Sequence, residues 1–497
     1  MLMGIGLLIL VQVGKQNLYL SGQPEITYFK VAYKRYTNFS IEPTPQYFKT
    51  TPDFGRKCTI NVGRNADLLS NCYLYVELPN IMMENYATNA SSVKSFAWVE
   101  KIGLALINYV EIEIGGTIID RQYGDWLNIW HELTVSSGNK NGYNKMIGNY
   151  SELTSFTKTK KSTCVYIPLA FWFCLDSGLS LPLIALIHHD IKMHVEFNDI
   201  STCYKQSPSY YITVADNFCL LQPGEQFYQN YQNNKVIGTF IYFDSINQNL
   251  YYNMIKGTFQ IPTTQNDINY VLTGMITNVK MNILAKSVVV KDSDYFLFNQ
   301  PSLLNAYILT DYIYLDNFER SFFINNDHQY LIPIIQTIPE QNIYSVNSVY
   351  KLPLFNPVKF IAWRLCLNAN INNNNMFNYT SYPFTSDVEN LINTNLLVIN
   401  STNRIDLNDT EFYTRIQKYQ HNFLNTQRGI YTYSFALNPK SIEPTGALNF
   451  SKIDDAYIQL SLNNIVNYQN PVTMKAYAMQ FNLFRTSHGI GGLVFNI

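Results

Sequence analysis

The 497 residues exceed one small domain and fit two to four, or fewer if the units are large β-sandwiches. Thirty-five basic against 36 acidic residues leave a formal charge of −1, which argues against a coat that condenses nucleic acid through clustered Lys and Arg. Charged residues are only 14% of the chain while 38 Tyr, 30 Phe and five Trp make it aromatic-rich, so global disorder is excluded and a surface covered by assembly is implied. In chain order, residues 1–13 are apolar but lack a basic leader and are too short to span a bilayer, and they read as a buried terminal segment or an assembly arm. The dominant period after that is two. Residues 109–114 alternate polar and apolar, and Gly115-Gly116 allows a tight turn into 117–120, a strong hairpin signal. Further β-rich runs are expected at 73–78, 165–169, 191–197, 306–315, 358–367, 429–437, 456–462 and 474–484, punctuated by Pro, Gly and Asn clusters. Helices are few; the best candidates are 124–132, around Trp126 and Trp130, and 316–323.

The stretch 222–234 reads as a long exposed loop, followed by strands at 238–243, 276–283 and 287–290, and the asparagine tract Asn372–Asn375 reads as a loop tip. The seven cysteines are scattered, odd in number and without a CxxC, which fits a reducing compartment better than a disulfide scaffold or a structural zinc site.

Four groups of residues invite chemistry. On a strand, His188, Asp190, Lys192 and His194 share a face and could hold a metal, but Lys192 would put a cation among the ligands, and a polar outer face is the simpler reading. Gly489-Ile490-Gly491-Gly492 lacks the spacing of a dinucleotide loop and reads as a terminal turn. Glu111, Glu113 and Asp120 flank the hairpin as solvent-facing carboxylates commonly do, although a glycosidase also needs paired carboxylates. Asn-x-Ser/Thr occurs at Asn38, Asn89, Asn149, Asn378, Asn400, Asn408 and Asn449, about as often as this composition produces by chance; Asn378, Asn400 and Asn408 are the glycosylation candidates. No catalytic residue, cofactor site or metal site is assigned.

Several stretches resemble one family, the major capsid proteins of nucleocytoplasmic large DNA viruses. They are 17–40 (NLYLSGQPEITYFKVAYKRYTNFS), 113–116 (EIGG) with 120–126 (DRQYGDW), 171–174 (FWFC) with 178–186 (GLSLPLIAL), and 311–316 (DYIYLD) with Glu319-Arg320 and 328–331 (HQYL). They continue with 356–359 (NPVK) before Trp363, 419–421 (YQH), 433–437 (YSFAL), 444–446 (PTG), 449–454 (NFSKID), 477–485 (YAMQFNLFR) and 489–493 (GIGGL). The blocks keep the family's order along nearly the whole chain. The departure is 205–300, longer than in compact members and similar to an insertion before the last strand of the first domain.

The resemblance implies an all-β double jelly roll, two tandem eight-stranded antiparallel sandwiches with few short helices. It places an arm at 1–25, a first jelly roll at 26–318 including the insertion, and a second at 325–497. It further implies homotrimeric pseudo-hexagonal capsomers that tile an icosahedral shell, with no enzyme activity and no cofactor. Implied partners are the chain itself, neighbouring capsomers, minor capsid and penton proteins, and an internal membrane near the arm, with no direct nucleic acid. The implied location is the virion, assembled in the host cytoplasm. Loops including 372–375 and parts of the insertion would form the outer crown. Two other readings are a minor capsid or scaffolding paralogue and a carbohydrate-active β-sandwich enzyme; no concave site with paired carboxylates and aromatic platforms can be named for the latter.

Overall fold

The computed structural model describes residues 14–83, 95–206, 210–216, 218–221, 225–231, 234–244, 248–262, 270–275, 277–284, 290–291, 301–381, 390–404, 410–424, 428–468 and 470–495. Eight strands build the first sandwich: β1 (Phe39–Tyr47), β2 (Lys57–Asn61), β3 (Leu68–Leu78), β4 (Ile107–Ile114), β5 (Thr117–Tyr123), β6 (Thr163–Pro168), β7 (Ile191–Phe197) and β8 (Asn305–Leu315). Eight more build the second: β9 (His328–Ile343), β10 (Asn347–Lys351), β11 (Pro357–Leu367), β12 (Ile392–Ile399), β13 (Thr402–Asn403), β14 (Ile430–Ser434), β15 (Ala456–Leu462) and β16 (Val472–Ser487).

The sheet orders repeat. The first sandwich pairs β1-β8-β3-β6 in one sheet and β2-β7-β4-β5 in the other; the second pairs β9-β16-β11-β14 and β10-β15-β12-β13. All these pairings are antiparallel, and adding eight to each strand number converts one half into the other. Both halves are jelly rolls. The local chemistry explains the elements. Gly115 and Gly116 adopt φ of 58° and 85°, as a two-residue turn that matches strand twist requires, so Ile114 pairs with Thr117. Asp316 caps the helix Asn317–Asn325 by accepting from the Glu319 N–H at 2.9 Å. On the edge strand β1, Pro43 and Pro45 remove donors that a foreign strand would need.

Alternation along each strand fills the cores. In β3, Cys72, Leu74, Val76 and Leu78 point inward, and in β11, Ile361, Trp363, Leu365 and Leu367 do so. Residues 358–367 of β11 are nevertheless all buried, because its other face is covered too. Phe360, Ala362 and Cys366 belong to the cluster of the first sandwich, together with Tyr477, Met479 and Phe484 of β16. The two rolls therefore share a buried seam that is continuous with the first core.

Between β7 and β8 lies a separate seven-stranded sheet over Tyr210–Lys291, with its own core of residues such as Phe227, Phe240, Tyr252 and Leu272. The expected loop over 222–234 differs: Gln226–Tyr231 is a strand of this sheet. The reason is alternation. Phe227 and Gln229 face inward, and the Gln229 carboxamide satisfies the Gln260 backbone, donating to its carbonyl at 2.9 Å and accepting from its N–H at 2.8 Å. Most of the strand expected at 287–290 lies outside the described residues, and of 276–283 only Lys280–Asn282 is a strand.

Candidate assembly surfaces and the seam between the sandwiches

The seam is organised by the helix Gly124–Thr134, which follows β5 and lays its N-terminal end on the outer face of β11 and β16. Trp126 stacks near Phe360 and Tyr477, with centroids 6.3 and 5.4 Å apart, and Trp130 adds a stacked contact to Phe360. Within this apolar frame sits one ion pair. The Arg364 guanidinium donates to Asp125 Oδ2 from Nη2 at 2.6 Å and from Nε at 2.7 Å. The Tyr379 and Tyr477 hydroxyls also donate to that carboxylate. Burial alone would raise the Asp125 carboxyl. The Arg364 charge, with Lys475 behind it, outweighs burial and holds the group below its ordinary value.

Asp120 stands a short way along the same seam. It was expected to face solvent, but its carboxylate is buried and accepts from the Ile335 N–H of the other sandwich at 3.2 Å and from Gln122 at 2.9 Å. Burial raises its pKa to about 6, against the pull of these donors. Glu111 is likewise buried, held between Lys57 at 3.0 Å and Arg121 at 2.6 Å. Strand alternation alone misplaces both carboxylates, because charged neighbours and a second domain cover the face that would otherwise meet water. Lys418 is buried in the field of Glu132, and burial pulls its amine down to about 8.

The histidine and glycine motifs meet each other. The His188 backbone N–H donates to the Gly489 carbonyl at 2.9 Å, and His189 Nδ1 lies 3.0 Å from the Gly491 carbonyl. A Cβ on Gly489, whose φ is 81°, would fall 2.5 Å from the His188 ring. The glycine turn therefore clasps the end of the first sandwich to the last hairpin of the second. Farther along, Lys192 and His194 both reach Glu113, at 2.8 and 2.9 Å, and His194 Nδ1 meets Thr59 Oγ1 at 2.8 Å. Among the described residues no group of three or more His, Cys, Asp or Glu is arranged to hold a metal, and no helix is long and apolar enough to cross a membrane.

The asparagine tract is less free than a loop tip. Asn374, at φ 55°, donates from Nδ2 to the Ser201 and Tyr204 carbonyls at 2.6 and 2.7 Å, tying the two sandwiches together. Of the sequons, Asn378 uses its carbonyl oxygen to accept from Thr380, and exposed Asn400 accepts from the Asp454 and Asp455 N–H groups; Asn408 and Asn89 lie outside the described residues. A cleft lined by Tyr47, Phe48, Lys49, Leu303 and Asn305 has no carboxylate in its lining.

Outward-facing apolar side chains mark the remaining surfaces. Residues 14–19 and 21–38 are exposed, with Tyr19, Tyr28, Phe29 and Tyr33 each more than four-fifths accessible. The helix Asn317–Asn325 between the sandwiches buries none of its residues and presents Phe318, Phe322 and Ile324. Such patches mark contact sites.

Residues 27–244 match the family described as major capsid protein N-terminus, and residues 319–492 match large eukaryotic DNA virus major capsid protein. Probable capsid protein 4 of Acanthamoeba polyphaga mimivirus is 34% identical over 513 residues, spanning 99% of each chain. The major capsid protein of Phaeocystis pouchetii virus is 28% identical, again over 99% of both. Among solved structures, the Faustovirus major capsid protein superimposes with a TM-score of 0.67 at 13% identity, covering 96% of this chain and 95% of its own. A chain of the PBCV-1 virus capsid superimposes with a TM-score of 0.62 at 20% identity, covering 95% of this chain and all of its own. Both share the double jelly-roll fold.

Proposed function

The chain belongs to the major capsid protein family of large eukaryotic DNA viruses, and from that premise we propose that it forms homotrimeric, pseudo-hexagonal capsomers that tile an icosahedral shell. It is a structural protein of the virion capsid rather than an enzyme, as its family is. The observation that carries the trimer is the doubled strand order: two wedges of one topology, fixed side by side through a shared seam. Three such pairs give six similar walls, a shape that fits a hexagonal lattice, and cyclic symmetry repeats each contact at every boundary.

In this reading the working units are an arm at 1–25, a first jelly roll at 26–318 carrying the insertion 205–300, and a second at 325–497. The arm lies at the inner base, where its exposed Leu18 and Tyr19 suit minor capsid and penton proteins or an internal membrane. The insertion sheet belongs to the outer crown, and assembly takes place in the host cytoplasm. Light scattering on purified protein over a concentration series tests the trimer. The expected species has three times the mass of the 57.4 kDa chain, and a persistent monomer overturns the proposal.

One observation favours a second reading. Capsid protein 1 of the same mimivirus is also 41% identical over 215 residues, so one virus carries more than one relative of this chain. A minor capsid or scaffolding role follows if the protein is scarce in purified particles, and abundance by quantitative mass spectrometry decides between the two.

A further inference from the structure

The two sandwiches repeat one topology, yet among the described residues only one of the two equivalent sheet faces is covered by the chain itself. The outer face of β9-β16-β11-β14 lies under the helix Gly124–Thr134 of the first sandwich, and β11 is buried on both sides as a result. The equivalent face on β1-β8-β3-β6 keeps every outward residue from Tyr307 to Asp311 partly exposed. Across it runs a row of four tyrosines, Tyr47, Tyr307, Tyr75 and Tyr166, opposite one another in register. Their ring centroids are 5.6, 4.4 and 5.0 Å apart, and the two end rings are 64% and 38% exposed. Solvent does not stabilise such a ladder as a partner would; a row of tyrosines, stacked at its centre and tilted or edge-on at its ends, offers a large, rigid contact surface at little entropic cost.

The covering element is duplicated as well. In the second sandwich the segment after β13 forms the helical turns Phe412–Ile416 and Gln417–Gln420, in the place that Gly124–Thr134 occupies after β5. Trp126, Trp130 and Leu133 are buried in the seam cluster. At the same spacing the second sandwich has Phe412, which packs on its own core, and then Ile416 and Tyr419, which are 46% and 88% exposed. The charges are placed differently. In the seam the acid, Asp125, is on the helix and the base, Arg364, on the sheet. On the open surfaces the helical segment carries Arg415, paired with its own Glu411 at 3.1 Å and still exposed, and the acids Glu77 and Asp311 stand on the sheet.

Each chain thus presents one uncovered sheet face and one uncovered helical stripe of the two kinds that already cover each other inside it. We propose that they meet between copies, the Phe412–Gln420 helical segment of one chain packing on the Tyr47–Tyr307–Tyr75–Tyr166 row of the next. The occupant is a second copy because the chain's own seam is the same pair of elements in contact. The contact is head-to-tail, so it closes only in a ring; it rests on the trimer reading above and names the surface that makes it.

The test compares wild type with Ile416→Asp/Tyr419→Asp and with Tyr468→Asp, a control at a side chain 84% exposed elsewhere on the second sandwich. Light scattering gives the mass and circular dichroism verifies the fold. The expected result is a trimer for wild type and control and a threefold lower mass for the double variant. If the double variant stays trimeric, the contact is overturned while the trimer stands; if wild type itself is monomeric, both fall. Should the double variant lose its fold, Tyr47→Lys/Tyr166→Lys on the sheet side decides by the same readout.

Discussion

Breaking the Asp125–Arg364 pair tests whether the seam holds the two sandwiches together. The guanidinium sits 2.6 Å from the carboxylate, and the two side chains are only 8% and 15% exposed. Removing one partner of a buried pair leaves the other charge uncompensated at a cost of about 3–5 kcal/mol. In Asp125→Asn, Arg364 keeps hydrogen-bond acceptors such as the Thr473 carbonyl but faces Lys475 without a counter-charge, so the full range applies. In Arg364→Met the carboxylate retains the Tyr379 and Tyr477 hydroxyls, so the loss should be smaller, about 2–3 kcal/mol. The double variant should cost less than the sum by about 2 kcal/mol, the coupling expected of groups in one network. Urea unfolding followed by tryptophan fluorescence is the assay, since Trp126 and Trp130 line the seam. With a slope of about 3 kcal/mol/M, the loss in Asp125→Asn lowers the midpoint by roughly 1 M or more. Single losses below about 1 kcal/mol, or strict additivity in the double variant, refute the reasoning.

Asp120 makes a prediction of the opposite sign. Its pKa rises from 3.8 to about 6 in the fold, so the stability tied to its proton is complete below pH 4 and is lost as pH rises through 6. Asp120→Asn should therefore gain up to about 3 kcal/mol over wild type at pH 7.5 and nothing at pH 4, and a Tm difference that is flat across that range sinks the idea. Gly429 sits at φ 79°, and a Cβ there would lie 2.0 Å from the Tyr379 carbonyl oxygen. Gly429→Ala should cost at least about 3 kcal/mol, read as a fall in the urea midpoint, and a Tm within a degree or two of wild type refutes it. The insertion has a core of its own, so replacing residues 210–300 by a flexible ten-residue linker should leave the near-ultraviolet dichroism of both sandwiches intact. An insoluble or molten product contradicts that.

The elements were largely legible because period-two patterning and turn chemistry are local. The hairpin around Gly115-Gly116 and the strands at 191–197 and 456–462 appear where alternation puts them, and the helix expected at 124–132 runs to Thr134. Contacts between distant segments leave no such trace. Asp125 and Arg364 lie 239 positions apart, and although the apolar run 360–367 marks a buried strand, nothing near either residue names the other as its partner. Asp120 and Glu111 sit at strand positions that read as outward-facing, which holds for a lone sandwich and fails when a second domain or flanking cations cover that face. The histidine and glycine motifs looked like chemistry because close-packed junctions use the same residues: small ones where backbones approach, and imidazoles where one ring must bridge two loops. The Gln226–Tyr231 strand escaped because Gln, Asn and Tyr are also loop residues, and only the Gln229–Gln260 bonds reveal that its polar side chain is satisfied inside.

The seam raises the question of why a contact rich in Trp, Phe and Tyr should contain an ion pair at all. Apolar rings adhere without direction, and a helix laid on a sheet face through such rings can settle at several offsets. Arg364 reaches Asp125 Oδ2 through two guanidinium nitrogens, Nε and Nη2, which narrows its placement, and Asp120 accepts from one particular backbone N–H, that of Ile335. Together these bonds fix the offset that the rings leave free, at a desolvation cost that makes them poor contributors to stability as such. A shell tile needs that offset held, because a small angular error in each wall accumulates around a six-walled ring. We therefore expect Asp125→Asn/Arg364→Met to lower stability little more than Asp125→Asn does, yet to form trimers whose two-dimensional arrays lose order, seen as a loss of high-angle diffraction from negatively stained sheets. Arrays as sharp as wild type would mean that the rings alone set the angle.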